Sequence, residues 1–461
     1  MKQFAAAAVL LCTALTVVVS TAGAHTRGPG GFVPGPLVWG VADDAGKYAD
    51  DGGAWFDAKL QGANLGEERW TLSFSPDRPT SIDELSFLQR AAPQAQRDGI
   101  KVVLALYSRP GSAHDPATFC AWAALVASTV STWGIHDFIV WNEPNTQLYW
   151  SPQNKGAPAA YEALLAACYD SIHGADPDAN VIGFGLSPRS NGPTQTAPIP
   201  FIEGVGAAYR ASGRTAPLMD EMSVHPYPNP NHPVDAPDVG YANPAFYGIP
   251  NLDRVKQALY DAFDGTGQPT TVDGLMLVID EVGWQTTTTQ YPQYVNPENV
   301  ATIDEATQTR FLEEAAETYF ACDPSVAAVN LFLLVDEGSR NGRDATGKAV
   351  GGGWQSGLLT TGGQGVSTAK QAYHALAPVF AAGRSACEGK LVAWRPSTAS
   401  SATGSTEGTI VTPYRRQPAE PPGTARIRVE PWSSRHSPTR TYLVEPDGFP
   451  GNAWRRSAPP T

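Results

Sequence analysis

Two short stretches of this sequence end in residues able to do acid–base or nucleophilic chemistry. Asp137-Phe138-Ile139-Val140-Trp141-Asn142-Glu143-Pro144-Asn145 carries a run of β-branched and aromatic residues that breaks off in an amide, a carboxylate and a proline. Proline donates nothing to a sheet ladder and holds the residue before it extended, so the strand should stop near Glu143. Leu275-Met276-Leu277-Val278-Ile279-Asp280-Glu281-Val282-Gly283-Trp284 has the same form, an apolar strand that reaches a glutamate. Strand carboxyl ends are where α/β folds build their sites. Two such ends facing one cleft would present a pair of carboxylates. Cleavage of a glycosidic bond with retention needs such a pair: one group protonates the leaving oxygen and later activates water, and the other attacks the anomeric carbon. Successive strand residues point to opposite faces, so only one of Asp280 and Glu281 can face the lumen. We take Glu281, with Asp280 paired to a neighbouring helix or loop.

The remainder of the chain supplies the elements that would hold this cleft. Strand patterns fall at residues 37–42, 65–74, 100–107, 137–143, 181–186, 219–227, 275–282 and 327–335. Helical patterns fall at 81–98, 117–132, 158–173, 201–211, 252–263, 306–321 and 368–382. Ser81-Ile82-Asp83-Glu84 has the form of a helix N-terminus with a cap and an acidic first turn, and Pro158 suits a first turn. Strands alternating with helices over about 350 residues predict an α/β fold, a (β/α)8 TIM barrel. An open doubly wound sheet is the rival, but no Gly-x-Gly-x-x-Gly follows the first strand. Long stretches at 188–200, 228–250, 285–303 and 338–365 follow strands five to eight and would be active-face loops around a deep cleft.

The 461 residues carry a formal charge of -13, which argues against a nucleic-acid or anionic-membrane partner and is compatible with a neutral substrate. Residues 1–24 read as a signal peptide: a basic start, an apolar run from Phe4 to Val19 too short to span a membrane, and Ala22-Gly23-Ala24 before the cut. Export to an extracellular location follows from that reading. Residues 25–36 form a Gly/Pro-rich linker, 37–387 the barrel, and 388–461 a Pro/Ser/Arg-rich tail. The tail reads as disordered and basic, with a small module contacting cell wall or polysaccharide as the alternative. Four cysteines remain after the signal, and three pairings are open. Cys120–Cys168 and Cys322–Cys387 would each join neighbouring helices; four free buried thiols are the alternative. Their spacing does not suggest zinc.

Trp141-Asn142-Glu143-Pro144-Asn145, with Glu281 ending a later strand, resembles the clan A retaining glycoside hydrolases, which include cellulase and β-xylosidase families. Arg69 in strand two, His225-Pro226-Tyr227 ending strand six, and Trp354-Gln355-Ser356-Gly357-Leu358-Leu359 followed by Ala372-Tyr373 extend the resemblance over residues 37–380. It implies a carbohydrate substrate and no cofactor or metal. It implies Glu143 as acid/base and Glu281 as nucleophile, with Asn142 on the sugar's 2-hydroxyl. Tyr227 would steady the nucleophile, while His225 and Arg69 hold the carboxylates in charge and orientation. The clan often ends strand eight with a tryptophan under the sugar ring. Here that strand reads Leu331-Phe332-Leu333-Leu334-Val335-Asp336-Glu337, so Trp284 or Trp354 would have to supply the floor. No motif assigns the sugar.

Each of these residues also has a plainer reading. Arg69 could pair with Glu67, Glu68 or Asp44, His225 could be a satisfied core histidine, and the tryptophans could be core. Asp43 and Asp44 could bind hydroxyls or cap the first loop. Asp336 and Glu337 are too few ligands to argue a calcium site. The expected function is a secreted retaining glycoside hydrolase acting on β-linked glycans or glycosides. The alternative is a carbohydrate-binding barrel without catalysis.

Overall fold

A computed structural model describes residues 35–397 except 109–114, 191, 193–194, 230–231, 295–299, 338–341, 344–348 and 351–352. The expected signal peptide, most of the linker and the tail beyond residue 397 lie outside the described residues. Eight parallel strands close into a barrel in sequence order. They are β1 (Val38–Ala42), β2 (Glu67–Ser73), β3 (Lys101–Tyr107), β4 (Asp137–Val140), β5 (Asn180–Leu186), β6 (Glu221–Val224), β7 (Met276–Val282) and β8 (Val326–Leu331). The barrel closes where β1 pairs with β8, Trp39 opposite Val329.

The lumen is layered, because every second strand residue points inward. The first residues of five consecutive strands (Glu67, Lys101, Asp137, Asn180 and Glu221) form a polar plug at the amino-terminal mouth. Lys101 pairs with Glu67 at 3.2 Å and Asp137 at 2.9 Å, and Asn180 bonds Asp137 at 2.8 Å and Glu221 at 3.0 Å. Above them Val103, Ala105, Ile139, Ile182, Val278 and Ala328 fill an apolar layer. Arg69, His225 and Asp280 continue the same inward parity toward the carboxyl-terminal mouth. The charged run Glu67-Glu68-Arg69 thus belongs in the strand: Glu67 and Arg69 serve two layers of the lumen.

Helices α1 (Ala45–Tyr48), α2 (Ala54–Gly62), α3 (Leu85–Asp98), α4 (Pro116–Val130), α5 (Ala157–Ala175), α6 (Pro198–Ser212), α7 (Leu252–Phe263), α8 (Glu305–Glu314), α9 (Gln371–Ala375) and α10 (Ala377–Ala382) surround the strands. The core between the layers joins residues such as Trp70, Leu88, Val126, Leu165, Val205 and Leu259. The α4 start is capped by Asp115, which accepts from Thr118 N at 3.2 Å. Among the described residues, no helix is long and apolar enough to cross a membrane.

Several expected boundaries shift. The helix expected from Ser81 begins at Leu85, because Glu84 is taken by Lys47 at 2.8 Å and Tyr48 at 2.6 Å, and Asp83 by Arg78 at 2.6 Å. Helices α1 and α2 had no counterpart in the sequence reading; Gly53, at φ 93°, starts α2 where a side chain would be strained. The helix expected at 306–321 ends in a wider π turn, Ala315–Phe320, and the one expected at 368–382 breaks at Leu376, before Pro378. The disulfides are Cys120–Cys168, which ties α4 to α5, and Cys322–Cys387.

Candidate active site

β4 stops three residues before Glu143, earlier than the proline argument implies. Trp141 and Glu143 both have positive φ, 75° and 39°, a region that costs most residues energy. Their amides still follow the ladder, Trp141 N to Leu106 O at 2.8 Å and Glu143 N to Gly185 O at 2.9 Å. Asn145 secures the turn: its side chain accepts from Ser187 N at 3.0 Å and donates to Ser187 O at 3.0 Å and Thr196 O at 3.1 Å. The Trp141 ring is buried between Phe119 and Trp150, so it is core.

Five charged side chains meet above the apolar layer. Arg69 donates to Asn142 Oδ1 at 2.8 Å, and its Nη1 lies 3.2 Å from Glu281 and its Nε 3.6 Å from Asp280. His225 Nδ1 lies 3.2 Å from Glu143 and 3.7 Å from Glu281, and its Nε2 lies 2.9 Å from Asp280. The Tyr227 hydroxyl donates to Glu281 Oε2 at 3.0 Å. Sharing one ring nitrogen keeps those oxygens of Glu143 and Glu281 within about 7 Å of each other. Glu143 is 18% and Glu281 13% exposed, so both face the opening, while Asp280 and His225 are fully buried.

Asp280 has the inward parity and pairs with Arg69 and His225, not with a helix or loop. Glu281 reaches the same pair because the β7–β8 register shifts between Ile279 and Val282, so strict alternation fails where β7 ends. Of the plainer partners of Arg69, Glu67 bonds Asn330 and Lys101 at the opposite mouth, and Asp44 pairs with Lys47 at 3.1 Å.

Electrostatics follow from this packing. Burial disfavours a charge on His225, but the fields of Asp280 and Glu281 overcome it and hold the imidazolium well above its usual pKa. Burial raises the Glu281 carboxyl, against the pull of His225 and Arg69. Burial and then the Glu281 charge push the Tyr227 hydroxyl up, so it stays a neutral donor. Two cations face three carboxylates, and one proton on the carboxylates makes the set neutral.

The aromatic surroundings differ from expectation. Trp284 is buried, 2% exposed, with its indole N–H donated to Asp235 O at 2.8 Å and its ring 5.6 Å from Phe311. It is wall, not a stacking face. Trp354 is half-buried, its ring 6.0 Å from Phe332, which lies edge-on to Tyr227 at 6.2 Å. Phe332, directly after β8, stands where the resemblance calls for tryptophan. Sequence reasoning treated it only as a departure.

Asp43 proves structural: it accepts from Ala45 N at 2.8 Å, Leu334 N at 3.1 Å and Val335 N at 3.0 Å, tying the ends of β1 and β8. Asp336 has its cation in the chain itself, Lys370 at 2.7 Å. No family model and no curated protein matches this sequence. Among solved structures, the barrel is similar to a family 39 glycoside hydrolase from the gut symbiont Bacteroides cellulosilyticus WH2, at 17% identity and TM-score 0.49 over 75% of this chain and 63% of that one. The chain thus spans less than two thirds of that protein's length. It is also similar to a monomeric β-xylosidase from Caulobacter crescentus CB15, at 15% identity and TM-score 0.44 over 75% and 68% of the two chains. A third is the β-glucosidase from Thermotoga maritima in complex with deoxynojirimycin, at 10% identity and TM-score 0.47 over 75% and 98%.

Proposed function

We propose that this chain is a secreted retaining glycoside hydrolase of the clan A type, acting on β-linked glycans or glycosides without a cofactor. The observation that carries the reading is the shared contact of Glu143 and Glu281 with one nitrogen of His225 at the open mouth of the barrel. In the first step, Glu281 attacks the anomeric carbon as Glu143 gives its proton to the departing glycosidic oxygen. In the second, Glu143 takes a proton from water, whose oxygen displaces Glu281 from the same carbon. Arg69 and Tyr227 orient the nucleophile from two sides. His225 bridges both carboxylates, so that a charge change at one is felt at the other. Asn142 accepts from Arg69 at 2.8 Å, which supports its assignment to the 2-hydroxyl, and Phe332 with Trp354 is assigned the apolar floor.

The test is hydrolysis of a panel of aryl β-glycosides and polysaccharides by the protein and two variants. Glu281→Ala is expected to lose almost all turnover. Glu143→Ala should keep activity mainly on substrates whose good leaving groups need no protonation. An unaffected Glu281→Ala enzyme refutes the assignment. The absence of a tryptophan after β8 is the one feature that favours a binding barrel without catalysis; binding of the panel with no sugar released would establish it.

A further inference from the structure

Arg189 sits in the loop after β5, at the same mouth as Glu143. Its segment is pinned to the Glu143 turn by the paired Asn145–Ser187 bonds of 3.0 Å, and to the next loop by Tyr247 N bonding Pro188 O at 3.1 Å. The other buried or half-buried arginines among the described residues are all engaged. Arg69 and Arg214 hold acceptors including side-chain oxygens, and Arg254 and Arg384 hold backbone carbonyls. Arg189 is half-buried like them, yet among the described residues its guanidinium has no hydrogen bond, ion pair or ring contact. Burial lowers its basicity, and only the fields of Tyr241 and Glu143 oppose that. A partly desolvated cation with no acceptor is unfavourable by itself, and a bound anion offsets the cost.

Resting on the glycosidase reading, we infer that Arg189 is a specificity residue for glycans carrying an anionic substituent, a carboxylate or a sulfate, on the leaving-group side of the bond cut. The planar guanidinium fork matches such oxygens two at a time. The Asn145–Ser187 bonds tie the Arg189 segment to the turn that carries Glu143, the group that protonates the leaving oxygen. This fixes the side.

The experiment takes the aryl β-glycoside that the protein hydrolyses best and compares it with analogues bearing a carboxylate or a sulfate on the aryl leaving group. Wild type, Arg189→Lys and Arg189→Gln are assayed side by side. The ratio of kcat/KM for anionic over neutral substrate should fall about 10- to 150-fold in Arg189→Gln, the range for a hydrogen bond to a charged group. Lysine should restore part of it, and salt should lower the wild-type ratio. The two analogues distinguish carboxylate from sulfate. A ratio unchanged in Arg189→Gln overturns the inference while leaving the glycosidase reading intact. If wild type hydrolyses no glycoside, that reading fails separately, and calorimetry with uronate-bearing and neutral oligosaccharides decides the arginine. Loss of uronate preference in Arg189→Gln supports it, and equal binding by both proteins overturns it.

Discussion

Tyr227→Phe removes a single hydroxyl and leaves the ring in place, 6.4 Å from His225 and 6.2 Å from Phe332. The lost bond is the donation to Glu281 Oε2 at 3.0 Å. Hydrogen bonds to charged groups contribute about 1.5–3 kcal/mol. At 1.36 kcal/mol per decade, kcat/KM falls by about 10- to 150-fold where the full bond is felt. The bond favours the ionised carboxylate, so its removal raises the Glu281 carboxyl further above its usual range. The acidic limb of the pH–kcat/KM profile should therefore move to higher pH. Loss that persists on the plateau, where Glu281 is ionised in both proteins, measures orientation alone. Steady-state assays on one aryl glycoside from pH 4 to 9 separate the two effects. An unchanged plateau with an unchanged acidic limb would refute the role given to Tyr227 and the ionised state given to Glu281.

Asp280→Asn removes the one fully buried carboxylate among those that face Arg69 and His225 in the described site. Breaking a buried pair typically costs about 3–5 kcal/mol, so the urea midpoint should drop well below wild type; a loss under about 1 kcal/mol contradicts the pairing. Replacing both Cys120 and Cys168 by serine opens a loop of 48 residues and should cost about 2–4 kcal/mol in calorimetry. Burial raises the carboxyls of Asp43, Asp57 and Glu221 to about 7. The folded chain therefore binds more protons than the unfolded one between their ordinary range and about pH 7, and stability falls as pH rises through that window. His225, raised above 6.5 against burial by Asp280 and Glu281, adds a loss of the same sign as pH rises through its folded value. The melting temperature should be higher at pH 5 than at pH 8, and the reverse order contradicts these burials.

The barrel was legible because seven of its connections carry strong periodic helices or unbroken apolar strands, and a run such as Lys101–Tyr107 allows few other fates. Helices α1 and α2 were not legible, because α1 is a single turn and α2 has no clear apolar face. Glu143, His225 and Tyr227 were proposed from strand-end position and motif, since a strand end in this fold has one mouth to face, and Arg69 only from the resemblance, since it lies inside β2. Asp280 was misread because alternation was carried through to a strand end where the register shifts. The burial of Trp284 had no sequence signal, because a position just after a strand says nothing of whether a loop, here through Asp235, bonds the indole. The idle guanidinium of Arg189 had no sequence signal, since lacking a partner is a property of three-dimensional surroundings.

The central claim is that Glu281 becomes covalently bonded to the sugar. An activated glycoside with fluorine at C2, which slows departure of the glycosyl group, should label the protein once, and peptide mass spectrometry should place the added mass on Glu281. Turnover without any adduct, or a label on Asp280 or Glu143, would contradict the account.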